Sequence, residues 1–402
     1  MAEQAWITGI GLVSSLGQGA AEHWRKLGNK AQCRPVTDEL RFPPYCVHPL
    51  APLDFAKQIP RTSDQRQMER WQRIGVYAAG LALEDANLAG NAELLDKTNL
   101  CIAAGNGERD LVLDARVLEV IDSAPSPGAT LNRELMTGLR PTLYLGQLSN
   151  LLAGNISIIH GATGSSRTFK GEEMAGVAAI ADAVDRIEAG QGDLFLVGGA
   201  LNAEREDLLL NCELATRLYA GPFRSVWERS AQDGGLVLGS LGAFLVIEAA
   251  SHARAREVEP YARVAGIRSD RSRRDDGQAA STAARLLASL GIAPTGGKLG
   301  VLSGASGAEP ITAAEIEFLD GMKKAGFYPL LRAWGSVLGH SLEAHFIAGM
   351  ALAAMSVCEG TFYPPFDQSG RELAGQARPD GVLVTAFGHW RGEGLGLVVP
   401  VQ

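Results

Sequence analysis

Short apolar runs alternate with stretches of helical spacing along most of the chain, which is the pattern of a protein built from alternating strands and helices. Trp6–Thr8, Leu100–Ala104 and Leu194–Ala200 are apolar runs of the kind that form buried strands. Apolar residues recur at helical spacing over Arg66–Leu88 and His345–Cys358. This alternation predicts an α/β protein with mostly parallel sheets.

The order of these elements recurs in the second part of the chain. After residue 250, a predicted strand at Val264–Ile267, a helix at Gln278–Leu290 and a strand at Leu299–Ser303 restart the pattern of the first part. We therefore expect an internal duplication, with one half at 1–250 and the other at 251–402.

The stretch between Asn155 and Ala200 predicts a strand, a turn, a helix and a second strand. The first strand is expected at Ile156–Ile159, followed by a small and polar loop. Helical spacing then begins after Gly171, and the second strand closes the unit. Such a unit buries its helix against the sheet, so the residue at the start of the helix is held in a fixed place.

Composition excludes some classes of function. The chain has 402 residues and a formal net charge of -8, which argues against nucleic acid or an anionic membrane as the main partner. Its 5 cysteines are scattered without metal spacing, so we expect reduced thiols, no metal and no cofactor. No apolar run reaches membrane-spanning length, and the first residues predict a strand rather than a signal peptide. These features predict a cytoplasmic protein.

Several motifs resemble β-ketoacyl-acyl carrier protein synthases, which are condensing enzymes. They are the opening Ile7–Gly17, the stretch Pro222–Arg224 with Asp233–Gly239 and Val246–Glu248, and Gly339-His340 at the start of a helix. The resemblance covers essentially the whole chain in the right order. It implies the thiolase-like fold, a five-layered αβαβα sandwich of two halves related by a pseudo-twofold axis, which is usually dimeric.

The chemistry of that family depends on four catalytic residues and a loop at the acyl entrance. A cysteine at a helix N-terminus accepts the acyl chain, because the helix dipole favours its thiolate. Two histidines stabilise the enolate that forms when the malonyl group loses carbon dioxide. A lysine supports one of these histidines, and a glycine-rich loop with a phenylalanine lines the acyl entrance.

The nucleophile of the family has no counterpart in this chain, since no cysteine lies between Cys101 and Cys212. Counting back from the strand after the helix places the nucleophile position at Glu173. Counting forward from the predicted strand before the helix places it at Ala162. We prefer Glu173, because a helix tolerates insertions less readily than the loop before it.

The other family positions are also changed. The first histidine falls on Ser303 and the lysine falls on Gly335, while the second histidine is retained as His340. The entrance loop is rebuilt as Phe387–Gly392, which contains His389. Three of the four catalytic positions are lost, and a single retained histidine is also compatible with a structural role at a helix N-terminus.

These losses favour a non-condensing, chain-length-factor-like subunit of fatty acid or polyketide-type chain synthesis, inactive alone and paired with an active synthase. The stretch Asn132–Leu145 corresponds to the family segment that crosses the dimer interface. Its candidates for setting the depth of the acyl tunnel are Met136, Leu139, Arg140 and Tyr144. The alternative is an active acyltransferase or malonyl decarboxylase with a remodelled site of Glu173, His340 and His389.

The partners implied by the resemblance are an acidic acyl carrier protein and either an active synthase subunit or a second copy of this chain. Basic side chains at helical spacing are candidates for docking the carrier. They are Arg66, Arg70 and Arg73. A second basic cluster within the acidic chain comprises Arg268, Arg271, Arg273 and Arg274.

Overall fold

The computed structural model describes residues 3–29, 34–215, 218–232, 234–272, 275–294, 299–375 and 378–401. The strands in these residues are β1 (Ala5–Ser14), β2 (Gly17–Gln18), β3 (Asp38–Phe42), β4 (Tyr45–His48), β5 (Asn99–Ala103), β6 (Ser166–Phe169), β7 (Leu194–Leu201), β8 (Leu238–Gly239), β9 (Leu241–Ala249), β10 (Ala262–Asp270), β11 (Leu299–Ser303), β12 (Leu330–Ala333), β13 (Gly381–Phe387) and β14 (Glu393–Val399).

The helices in the first half are α1 (Ala20–Gly28), α2 (Thr62–Gln67), α3 (Arg70–Asp85), α4 (Ala92–Lys97), α5 (Leu111–Ile121), α6 (Pro127–Gly138), α7 (Leu143–Gly146), α8 (Leu151–His160), α9 (Glu173–Glu188), α10 (Glu206–Ala215) and α11 (Val226–Ser230). They continue with α12 (Ala250–Ala255), α13 (Gln278–Ser289), α14 (Ile311–Lys324), α15 (Gly335–Leu338) and α16 (His345–Cys358). Short 3-10 helices lie at Phe55–Lys57 and Leu342–Ala344. None of the helices in the described ranges is long and apolar enough to cross a membrane.

Each half of the chain builds a five-stranded sheet with the same internal order, and the antiparallel pair of β1 and β10 joins the two sheets into one that has 11 strands with β2. The first half has the order β6-β5-β7-β9-β1, and the second has the order β12-β11-β13-β14-β10. Numbered along the chain within its own half, each sheet reads 3-2-4-5-1. The parallel and antiparallel pairs also fall at the same places in both sheets. This repetition confirms the two related halves, whereas a boundary at residue 250 stays a prediction.

The expectation of mostly parallel sheets was wrong, because two of the four strand pairs in each half are antiparallel. The connection between β13 and β14 shows the reason. Only residues 388–392 join these two strands. A parallel crossover needs about a dozen residues or more, so a connection this short returns the chain antiparallel.

Helices cover both faces of each sheet and so form five layers. α9 and α16 pack against each other between the two sheets. α3 and α8 cover the outer face of the first sheet, and α13 and α14 cover the outer face of the second. α16 is apolar on all sides and buries every residue except its last, as a central helix must. This arrangement confirms the predicted αβαβα sandwich of the thiolase-like fold.

The stretch before α9 differs from the sequence prediction. Ile156–Ile159 belongs to the helix α8, which ends at His160 and is followed by Gly161 in the left-handed conformation with φ 78°. The strand is instead β6, within the stretch expected to be a loop. A four-residue apolar run fits a buried helix as well as a strand, so periodicity alone does not separate the two.

The predicted single helix over Arg66–Leu88 is divided into α2 and α3. Met68 and Glu69 have extended backbone between the two helices. The N–H of Glu69 donates to Oε1 of Gln72 at 3.0 Å, which is one half of a capping box and begins a new helix at Arg70.

Candidate functional site

A cleft of about 340 Å³ opens beside the start of α9. Three segments that are distant in sequence meet on its wall. Glu173 begins α9, Glu343 lies in the 3-10 helix that follows His340, and His389 lies in the loop after β13. The cleft therefore coincides with the place where the family resemblance positions its chemistry.

Glu173 occupies the first position of α9 and is 3% exposed. Ala162 lies between α8 and β6 and is buried in the outer core, so it is not at the start of this helix. Gly176 allows α9 to approach the segment after His340, because a Cβ there would lie 2.7 Å from the carbonyl oxygen of Glu343. The position between two tightly packed segments holds the Glu173 carboxylate in place.

The residue before Glu173 has a strained backbone. Glu172 adopts φ 53° and ψ -132°, a conformation that residues with a side chain rarely populate. Such a conformation costs on the order of 1–3 kcal/mol, and it persists only where the surrounding structure imposes it. The strain marks a sharp turn that directs the Glu173 side chain into the site.

Glu173 and His389 form a directly hydrogen-bonded pair. Nδ1 of His389 contacts Oε1 of Glu173, and Nε2 of the same ring lies 3.0 Å from Oγ of Ser306. Burial raises the pKa of Glu173, but the charge and hydrogen bond of His389 outweigh burial and hold that pKa below its usual value. An ionised carboxylate only accepts hydrogen bonds, so Nδ1 of His389 carries the proton.

His340 lies beside this pair without a short contact to it. Its Nε2 is 3.8 Å from Oε1 of Glu173, and its Nδ1 accepts a long 3.4 Å hydrogen bond from the Leu342 N–H. Its ring centroid is 4.0 Å from that of His345, which stacks on Trp334 at 4.6 Å. Burial lowers the pKa of His340 well below its usual value and that of His345 to about 3, so both rings are neutral at pH 7.

The other two positions at which the resemblance places a lost catalytic residue, Ser303 and Gly335, make structural contacts. Ser303 donates a 2.6 Å hydrogen bond to Oε1 of the buried Glu315, so its hydroxyl faces α14 and not Glu173. Gly335 is closely surrounded, since a Cβ there would lie 3.2 Å from the Ala305 carbonyl oxygen and 3.8 Å from Cε1 of His345. The imidazole of His345 therefore lies next to Gly335, the position where the resemblance places the lysine.

Sequence reasoning missed several residues of the site. Ser306, Glu343 and His345 were not assigned roles, although each lies within five residues of a position that was. His345 follows His340 in the same motif, and Ser306 follows Ser303 in the same loop. A charged or polar residue close to an assigned catalytic position, whether retained or substituted, is the signal that would have identified them.

The cleft is acidic. Glu172 and Glu343 line it together with Glu173. Burial, with the negative charge of Glu173, raises the pKa of Glu172 to about 7 and that of Glu343 to about 7. Cys212 also lines the cleft, but burial and the same carboxylates raise the pKa of its thiol to about 12. This thiol is protonated at neutral pH, so it does not replace the missing nucleophile.

The four tunnel candidates lie on α6, on α7 and between them. Met136 is 78% exposed and Tyr144 is 69% exposed, while Leu139 is partly exposed. Arg140 forms ion pairs with Glu69 at 3.2 Å and Asp110 at 3.3 Å. None of the four is among the described residues that line the cleft. Their role in a tunnel or an interface stays a prediction.

The three docking candidates do not lie on one helical face, so that part of the expectation was wrong, and their role in docking stays a prediction. Arg66 is exposed on α2, but Arg70 on α3 pairs with Glu204 at 3.1 Å. The Arg73 guanidinium lies 5.4 Å from the centroid of the Phe55 ring and is half-buried. The break between α2 and α3 separates Arg66 from the other two. In the second basic cluster, Arg268 and Arg271 are exposed, and positions 273 and 274 lie outside the described residues.

Comparison with known proteins agrees with the fold. The ishigamide ketosynthase/chain length factor superposes with a TM-score of 0.79 at 20% identity, with 100% of each chain covered. A beta-ketoacyl synthase from Burkholderia phymatum superposes with a TM-score of 0.78, also at 20% identity and with 100% of each chain covered. At this identity the likeness establishes the thiolase-like ketosynthase fold and nothing about activity.

The family itself follows from sequence. The family model described as beta-ketoacyl synthase, N-terminal domain, matches residues 2–253, so the chain belongs to the β-ketoacyl synthase family. A 3-oxoacyl-[acyl-carrier-protein] synthase 2 from Rhizobium meliloti is 29% identical over 282 residues, which cover 65% of this chain and 62% of the relative. Nodulation protein E from Rhizobium leguminosarum is 28% identical over 267 residues, covering 65% of this chain and 62% of that protein. The aligned part thus spans less than two thirds of these relatives.

Proposed function

We propose that this protein is a non-condensing, chain-length-factor-like subunit that pairs with an active β-ketoacyl synthase in fatty acid or polyketide-type chain synthesis. One observation carries the proposal. The residue at the start of α9 is Glu173, a buried carboxylate hydrogen-bonded to His389. A carboxylate is a much weaker nucleophile towards a thioester than a thiolate, so the first step of condensation has no acceptor at this position.

The partners are proposed on the same basis. Solved structures of similar fold include a ketosynthase/chain length factor and a type II polyketide synthase acyl-carrier protein in complex with its ketosynthase. Related surfaces can build both symmetric homodimers and pseudo-symmetric heterodimers, so a subunit can lose its chemistry and keep its assembly. We propose an acyl carrier protein and an active synthase subunit as the partners, with a homodimer as the other arrangement.

A second candidate is an enzyme with altered chemistry, because the Glu173–His389 pair faces the cleft and resembles an acid–base device. The charges of the cleft oppose malonyl decarboxylation. A malonyl carboxylate beside His340 would approach the ionised Glu173. Two like charges 4 Å apart repel by about 4 kcal/mol at an effective dielectric constant of about 20. The silent subunit is therefore the preferred function.

Mass spectrometry of the intact protein tests the proposed function. The chain is incubated with acyl-carrier thioesters, and a synthase with an intact cysteine serves as the positive control. We expect no added acyl mass, because Glu173 replaces the thiol and Cys212 is protonated. An acyl group retained on the peptide spanning residues 160–175 would contradict the proposal.

A further inference from the structure

We propose that Glu173, His340 and His389 form a binding site for a zinc ion. One oxygen of Glu173 and one ring nitrogen of each histidine all lie within 4.8 Å of one another. Two imidazoles and one carboxylate are a ligand set that zinc uses in proteins, with a fourth position left to water or substrate. This inference is independent of the proposed function, since a subunit without condensing activity can bind a metal or lack one.

The unpartnered oxygen of Glu173 is the first reason for a cation here. Oε2 of this carboxylate is buried without a hydrogen-bond partner, although Glu173 lines the cleft. Within the described residues, the groups in ion-pair range of Glu173 are the imidazoles of His340 and His389, and no lysine or arginine is among them. Buried carboxylates are normally paired with cations or bound to metals.

The surroundings of His389 are the second reason. Histidines that bind a metal usually donate their other ring N–H to an acceptor that fixes the orientation of the ring. Nε2 of His389 lies 3.0 Å from Oγ of Ser306, so this hydroxyl can accept a hydrogen bond from the Nε2 N–H when Nδ1 binds zinc. Because Glu173 and His389 line the cleft, a water molecule can reach the fourth position.

Binding requires a defined rearrangement. The ion takes the place of the proton on Nδ1 of His389 and of the proton on Nε2 of His340. The proton of His389 moves to Nε2, where it can donate to Oγ of Ser306. The ring proton of His340 then moves to Nδ1, which ends the weak 3.4 Å contact with the Leu342 N–H. The contact between Glu173 and His389 must widen, because two atoms bound to one zinc ion at about 2.0–2.1 Å lie about 3.3 Å apart in tetrahedral geometry. A rotation of Glu173 that presents Oε2 achieves this.

The test is metal content. The full chain carries Cys358→Ser, which removes the exposed thiol at the end of α16. It is stripped with a chelator, incubated with Zn²⁺, gel-filtered and analysed by inductively coupled plasma mass spectrometry. We expect one zinc ion per chain, and loss of that zinc in Glu173→Gln. His252→Gln is the matched control, because His252 pairs with Glu248 at 2.7 Å away from the cleft and its loss should leave the zinc bound.

A milder variant keeps the test decisive if Glu173→Gln fails to fold. Ser306→Ala removes only the hydrogen bond to His389, and loss of such a support lowers metal affinity by about 10–100-fold. Affinity is measured by competition with a chromophoric chelator, and circular dichroism verifies the fold. A chain that retains no zinc, or zinc affinity that is the same in the parent and Ser306→Ala proteins, would overturn the proposal.

Discussion

Glu173 is the residue whose chemistry decides between the two candidate functions. It is buried, ionised and bound to His389, at the position where the resemblance to the family places the cysteine. Its carboxylate faces a cleft that also contains Glu172 and Glu343. A group in this position either does nothing during chain synthesis or acts as an acid or base.

Glu173→Gln separates these possibilities. In a silent subunit, the change should leave assembly and the product length of the partner synthase nearly unchanged, since glutamine has almost the same shape. Carbon dioxide release from malonyl thioester should be close to background in both proteins, because Ser303 faces Glu315 and Gly335 has no side chain. Carbon dioxide release and product length are measured on the same preparations. Robust release that disappears in the variant would establish the altered enzyme instead.

Glu315 gives a prediction about pH and stability. Its carboxyl is fully buried and accepts hydrogen bonds from Ser303 and Thr385, and burial raises its pKa from 4.5 to about 7. The folded protein thus holds the proton more tightly than the unfolded chain. Stability from this group is complete below pH 4.5 and is lost as the pH rises through about 7.

Glu315→Gln should remove that loss. Its amide oxygen can still accept both hydrogen bonds but does not titrate. The free energy of unfolding of the variant minus that of the parent should therefore be about 3 kcal/mol larger at pH 8 than at pH 5. Denaturant titrations at the two pH values measure the difference. The control is Glu317→Gln, an exposed position on the same helix, for which the two values should agree. If Glu315→Gln changes the free energy of unfolding by the same amount at both pH values, Glu315 does not hold a proton more tightly in the folded protein.

At the scale of elements, α5, α6 and α7 each expose a large apolar side chain. Val112 is 82% exposed, Met136 78% and Tyr144 69%. β6 lies at the end of the sheet, so one of its edges has no neighbouring strand among the described residues. Exposed apolar patches and free strand edges are features of association surfaces.

Met136→Asp should therefore weaken association. A charge in the middle of an apolar interface leaves the aspartate desolvated, which typically costs several kcal/mol. Light scattering reports the mass of the chain alone, and co-purification reports its binding to a co-expressed synthase. Leu40→Asp is the control, because Leu40 is 89% exposed on β3, outside the interface segment. If both variants associate like the parent chain, α6 is not part of the interface.

Prediction from sequence succeeded where the length and composition of a segment were compatible with only one type of secondary structure. The helix at His345–Cys358 was predicted with the bounds it has in the structure, because fourteen mostly apolar residues are too long for a strand. Ile156–Ile159 failed because it is part of a longer helix whose preceding residues carry no clear boundary signal. Among the site residues, Glu173 was placed by counting along a helix, whereas the contact of Ser306 with His389 joins loops that no local pattern relates.

The whole molecule shows why the fold is more predictable than the site. Each half repeats the strand order 3-2-4-5-1, so strands and helices alternate over hundreds of residues and leave a repeated pattern. The site has no such pattern, since it forms where the start of α9, the segment after His340 and the loop after β13 converge. Fold information is distributed along the chain, and site information resides in a few side chains from distant positions.

The imidazole of His345 beside Gly335 bears on how this lineage can evolve. A lysine introduced at position 335 would meet the Ala305 carbonyl oxygen and the His345 ring. A cysteine introduced at position 173 would have Ser303 and Gly335 where the resemblance places the first histidine and the lysine. Each change alone would leave the set of condensing residues incomplete, and the one at position 335 also needs a small shift of the Ala305 carbonyl, which lies 3.2 Å from the added Cβ. Under the proposed function, condensing activity would need several of these changes together, so this chain would depend on an active synthase encoded beside it.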